Sequence, residues 1–213
     1  MTKKLIVGGI SIIVIIGIII VTYTSSTNDT LFANSVDISR ASNPLGNPNA
    51  PITIIEFGDY QCEACAHWYH MTRDSIISNY VETGKANIIF VDLAFLGSDS
   101  SKAAHATYCA EDQGKYWEYH SMLYERQKGI DDGWANKISL QKIAEEMGLD
   151  GKIFEDCIYS DKHLDRVEFN SKQAKKQGIR ATPGFIIISD EGMERISGAQ
   201  PYHVFNRVLD TLM

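Results

Sequence analysis

Ile52-Thr53-Ile54-Ile55-Glu56-Phe57-Gly58-Asp59-Tyr60-Gln61-Cys62-Glu63-Ala64-Cys65 decides the reading of this chain. The apolar run Ile52–Phe57 predicts a buried strand. Gly58–Gln61 is a turn, and the residues after Cys62 have helical character. Two thiols therefore sit where a strand ends and a helix begins. A helix N-terminus offers unpaired N–H groups and partial positive charge. Both favour a thiolate, the reactive form of cysteine. The two-residue spacing lets the sulfurs close a small ring and cycle between dithiol and disulfide.

Working outward, Glu63–Glu82 predicts a helix with Trp68, Met71, Ile76, Tyr80 and Val81 inward and Gly84 as its stop. Ala86–Leu93 predicts a second strand, so the segment reads as a βαβ unit with parallel pairing. Helices follow at Ser101–Asp112, Lys115–Gln127, Ser139–Met147 with a Ser cap, Gly151–Tyr159 and Asp161–Gln177. Strand character returns at Gly184–Ser189. A turn at Asp190-Glu191-Gly192 leads into Met193–Ile196, an antiparallel hairpin. Pro201–Leu212 is a final helix. The fold class is α/β: a thioredoxin-like fold over residues 51–213 with a helical insertion at about 98–177.

The N-terminal end differs in kind. Lys3 and Lys4 precede Leu5–Val21, a run in which Ser11 is the only polar residue. With Thr22–Tyr23 it would span roughly 28 Å as a helix, near the hydrocarbon thickness. Residues 1–23 are expected to form a transmembrane signal anchor. Val21-Thr22-Tyr23 is a poor cleavage site; a cleaved signal peptide ending near Thr24-Ser25-Ser26 is the competing reading. Residues 24–50 are a polar linker. The lysines stay cytoplasmic, which places the domain outside.

The 213-residue chain carries a net charge of −7 and has no basic block, which argues against nucleic acid as a partner. Its four cysteines suit a disulfide-permissive compartment. Cys109 and Cys157 lie on apolar helix faces. A structural disulfide is expected there, and two buried free thiols are the alternative. No second CxxC is present, and the His67/His70 pair is read as lying on the surface rather than completing a zinc set, so neither metal nor cofactor is expected. His67 and His70 read as solvated surface histidines. Tyr116, Trp117 and Tyr119 read as core aromatics.

Four stretches carry a family likeness: Gly46–Ile52 (GNPNAPI), Glu56–Cys62 (EFGDYQC), Gln113–His120 (QGKYWEYH) and Gly178–Phe185 (GIRATPGF). Together they resemble the DsbA-like extracytoplasmic thiol–disulfide oxidoreductases over about Gly46 to Leu212. The resemblance implies that Cys62 is the exposed nucleophile and Cys65 the buried resolving thiol. It implies a cis Thr182-Pro183 loop facing the pair and pairing with an extended substrate. It makes Glu56 a buried carboxylate that shuttles the Cys65 proton. It implies reduced exported proteins as substrates and a membrane quinone-linked reoxidase as partner. The chain departs from the family's strong oxidants at Glu63-Ala64, where a histidine is usual at the second position. A negative charge at Glu63 is expected to raise the Cys62 pKa and give a milder oxidant, or an isomerase or reductase. A non-catalytic thioredoxin-like binding module is the remaining alternative.

Overall fold

The computed structural model describes residues 36–213. The anchor expected at residues 1–23 and the first part of the expected 24–50 linker, residues 24–35, lie outside the described residues. The rest of that linker is corrected: residues 36–50 belong to the folded domain, with Val36 and Ala41 buried and Leu45 bridged to Ile88 of the sheet. Among those described, no helix is long and apolar enough to cross a membrane.

Strand β1 (Ile52–Gly58) is the centre of a four-stranded sheet of order β2-β1-β3-β4. It pairs in parallel with β2 (Ala86–Asp92), with Ile54 opposite Ile88. On its other side it pairs antiparallel with β3 (Gly184–Ser189), with Glu56 opposite Phe185. Strand β4 (Gly192–Ser197) completes the hairpin with β3. Both faces of β1 are covered, which is why its sequence is a continuous apolar run rather than an alternation.

Side chains alternate across the sheet. Ile52, Ile54, Phe185 and Ile187 pack on one face against Trp68, Ile76, Phe205 and Leu209. Ile55, Phe57 and Ile186 pack on the other against Val36, Ala41 and Ala174. Glu56 shares the face of Ile52 and Ile54, beneath the helix that carries the cysteines.

That helix, α1 (63–81), is not uniform. Alpha-helical turns at Glu63–Trp68 and Asp74–Ile76 alternate with wider π turns at Tyr69–Arg73 and Ile77–Val81. A π turn takes more residues per revolution. The inward face therefore shifts by one or two positions: Thr72 and Arg73 are buried, and Met71 is 67% exposed. This corrects the regular-helix expectation, which put Met71 inside.

Five helices separate β2 from β3: α2 (Ser100–Glu111), α3 (Tyr116–Glu125), α4 (Lys137–Glu146), α5 (Gly151–Tyr159) and α6 (Leu164–Lys176). Helix α2 is buried almost all round. Its run of small residues, Ala103, Ala104, Ala106 and Ala110, lets neighbouring helices approach closely. Asn136 caps α4 by accepting from the Ser139 N–H at 2.9 Å, so the cap lies three residues before the serine expected to serve. Cys109 on α2 and Cys157 on α5 are joined by a disulfide. Tyr116 and Tyr119 are core residues, while Trp117 is half-buried and donates to the Asn43 carbonyl. Helix α7 (Tyr202–Thr211) closes the chain behind Pro201.

Candidate active site

Strand β1 ends at Gly58, and Asp59 starts the turn. Its Oδ1 accepts the Gln61 N–H at 2.9 Å. Its Oδ2 accepts the N–H groups of Phe95 and Leu96, tying the turn to the segment after β2. Gln61 bridges outward. Its amide donates to Ser100 and Asp131, and its carbonyl oxygen accepts the Asp131 N–H. Gln127 closes the other side by donating to the carbonyls of Tyr60 and Cys62 at 2.6 and 3.0 Å. Every polar group of a buried turn needs a partner, and these three side chains supply them. The sequence reading missed all three. A single polar residue that bonds backbone carries no periodic signal.

Cys62 is the N-cap of α1 and Cys65 lies in its first turn. The two sulfurs are unlike. The Cys65 thiol, hydrogen-bonded to the Cys62 sulfur, and the first-turn N–H groups hold the Cys62 pKa down to about 6. Burial pushes the Cys65 thiol well above its ordinary value. Glu63 points to solvent and is not among the groups that set the Cys62 sulfur. The direction is opposite to the one expected of that residue, because hydrogen bonds at the sulfur act at closer range than a solvated carboxylate.

Cys62 is also less exposed than expected, at 7% of its surface. The cause is the loop before β3. The Thr182-Pro183 peptide is cis, and the Thr182 carbonyl stands 3.3 Å from the Cys62 sulfur, which donates to it. The sulfur still faces an open groove of about 750 Å³, whose apolar walls include Leu96 and Ile130. His67 and His70 are exposed on α1, outside this groove's lining.

Beneath the pair, both oxygens of Glu56 are buried without a protein partner. Burial raises its pKa to about 8, partly opposed by the Arg73 guanidinium. Arg73 is itself buried, 5.1 Å from the Tyr69 ring centroid and 6.0 Å from that of Trp117. The π turns bring it there, so a regular helix reading could not place it.

The raised Glu56 pKa has a stability consequence. Below about pH 4.5 the carboxyl is protonated folded and unfolded alike, and it contributes no penalty. Between 4.5 and about 8 only the unfolded chain loses the proton, so stability falls as pH rises. The full loss is on the order of 5 kcal/mol. Glu56→Gln removes this slope. In urea unfolding, the variant is expected to gain on the wild type from pH 5 to pH 8.5; parallel pH curves would refute the buried, protonated carboxyl.

The thioredoxin family profile matches residues 39–211. The chain belongs to the thioredoxin family. It is 26% identical over 187 residues to probable disulfide bond formation protein D of Bacillus anthracis, a match covering 85% of each chain. It is 28% identical over 142 residues to disulfide bond formation protein D of Bacillus subtilis, covering 65% of this chain and 64% of that one. The crystal structure of α-DsbA1 from Wolbachia pipientis superposes with a TM-score of 0.72 at 27% identity, covering 87% of this chain and 96% of that one. BdbD from Bacillus subtilis superposes with a TM-score of 0.74 at 24% identity, covering 83% and 94%, a likeness of fold. Within its family this is a DsbA-like thiol–disulfide oxidoreductase.

Proposed function

We propose that this DsbA-like chain is a membrane-tethered oxidant that forms disulfides in exported proteins, held by an uncleaved anchor at residues 1–23 with residues 51–213 outside. The observation that carries the oxidant reading is the asymmetry of the two sulfurs, Cys62 held low and Cys65 pushed high. Stabilising one thiolate stabilises the reduced enzyme, and that makes the disulfide a stronger oxidant.

In this mechanism a substrate thiolate attacks the Cys62 sulfur of the Cys62–Cys65 disulfide. Cys65 leaves as a thiolate and takes a proton from Glu56, which burial keeps protonated at neutral pH. A second substrate thiolate then attacks the substrate sulfur of the mixed disulfide. The substrate disulfide forms, and Cys62 departs as its stabilised thiolate. Two electrons have moved to the enzyme. One substrate proton ends on Cys65 through Glu56 and the other goes to solvent. In this scheme Thr182, in the loop at Pro183, pairs with an extended substrate segment, a reading supported by its backbone lying beside the Cys62 sulfur and by the apolar groove next to it. A membrane quinone-linked partner would take the two electrons back, and a tether would keep the two proteins at high local concentration. The Cys109–Cys157 bridge is structural in this scheme.

The test is a redox titration of the Cys62–Cys65 pair against glutathione. An oxidant is expected to lie well above the roughly −270 mV of thioredoxin. A value below about −300 mV would make the bond structural and end this reading.

A further inference from the structure

The mechanism above has no use for His105. It lies in the middle of α2, wholly buried. Its Nε2 faces the sulfurs of Cys109 and Cys157, at 3.6 and 4.0 Å. Neither is a good hydrogen bond, because a disulfide sulfur is a poor acceptor. Its Nδ1 has no partner. A buried imidazole with no proper partner is costly, and one aimed at two sulfurs is a candidate ligand.

Two further donors stand beside the pair. Asp112 and His163 form a second set with Cys157, and the donor atoms within each set lie within 4.8 Å of one another. The His163 ring is 6.1 Å from the His105 ring, and its Nε2 bonds Asp112 at 2.9 Å. A surface cavity of about 320 Å³, lined by Asp112, Cys157, Ser160 and Lys162 among others, opens onto Cys157. The bridge is thus buried from one side and approachable from the other.

We propose that reduction of the Cys109–Cys157 disulfide creates a zinc site made by both thiolates and His105, its fourth position facing the cavity lined by Asp112. A dithiol reductant cleaves the S–S bond, supplies two electrons and two protons, and becomes a cyclic disulfide itself. Zn²⁺ then displaces the two thiol protons to solvent. Tetrahedral zinc with bonds of about 2.3 Å to sulfur and about 2.1 Å to nitrogen holds its ligand atoms roughly 3.5 to 3.8 Å apart. The His105 nitrogen already stands near that distance from both sulfurs, so only the sulfurs must part. The thiolate and imidazole donors select a borderline-soft ion over calcium or magnesium. The bound ion would hold the bridge reduced and bar its reoxidation.

The test uses the full-length chain carrying Cys62→Ser and Cys65→Ser, which removes the other thiol pair. The chain is reduced anaerobically with dithiothreitol, freed of reagent, and titrated with zinc chloride against a chromophoric chelator, with circular dichroism followed throughout. One zinc per reduced chain and none per oxidised chain are expected, with the helical signal retained. His105→Ala is expected to weaken zinc binding at least about 100-fold. Absence of zinc from the reduced chain, zinc bound equally by His105→Ala, or zinc bound only by a chain that has lost its helical signal would each overturn the site.

Discussion

Cys62→Ser is expected to abolish disulfide formation in a reduced multi-cysteine test protein, down to the rate without enzyme. Cys65→Ser is expected to fail differently. Offered the oxidised, disulfide-containing form of the test protein, its Cys62 thiolate attacks a substrate disulfide, releases one substrate thiolate and accumulates as a stable mixed disulfide, visible by mass. The two sulfurs have unequal tasks, and magnitudes show where the low pKa matters. Lowering a thiol from 9.0 to about 6 raises its thiolate fraction at pH 7 about 90-fold. The same three units lower its intrinsic nucleophilicity about 20-fold, at a Brønsted slope near 0.45. Only about a 4-fold gain in attack survives. The larger benefit is to Cys62 as a leaving group and to the reduced state at equilibrium. Loss of activity in Cys62→Ser with no adduct in Cys65→Ser would mean that Cys62 does not meet the substrate.

The parts of this molecule that could be read from sequence are those where one physical cause dominates. Strands β1 and β2 are buried on both faces, so Ile52–Phe57 and Ala86–Leu93 stand out as apolar runs between turn residues. The break after β2 and the return of strand character at Gly184 follow from the same contrast. Helix α1 was legible as a helix, but its facing was not. The π turns at Tyr69–Arg73 and Ile77–Val81 come from packing, and they exchange Met71 for Arg73 at the interior. The surroundings of the cysteines were legible only through residues of distinctive type. Asp59, Gln61 and Gln127 act through hydrogen bonds to groups 36 to 70 residues away along the chain, and nothing in their local sequence announces that. The low accessibility of Cys62 depends on Thr182, 120 residues away. His105 is one histidine in an alanine-rich helix, and only folding brings the sulfur of Cys157 beside it.

Replacing Cys109 and Cys157 together by alanine is expected to cost about 4 kcal/mol, because the bridge closes a loop across a separation of 48 residues. For a chain of this size that corresponds to a fall in Tm of about 8 to 16 °C. The loss should appear as one cooperative transition rather than as separate melting of the insert. Helix α2 explains why. It packs against α3, α4 and α5 within the insert and also against α6, which itself covers β2. Loosening α5 therefore exposes α2, and exposing α2 removes support from the sheet. A typical domain holds about 5 to 15 kcal/mol, so the variant remains folded at low temperature. Thermal unfolding followed by circular dichroism decides the matter. A fall of less than about 2 °C would mean that the helices of the insert are held by packing alone, and that the bridge serves something other than stability.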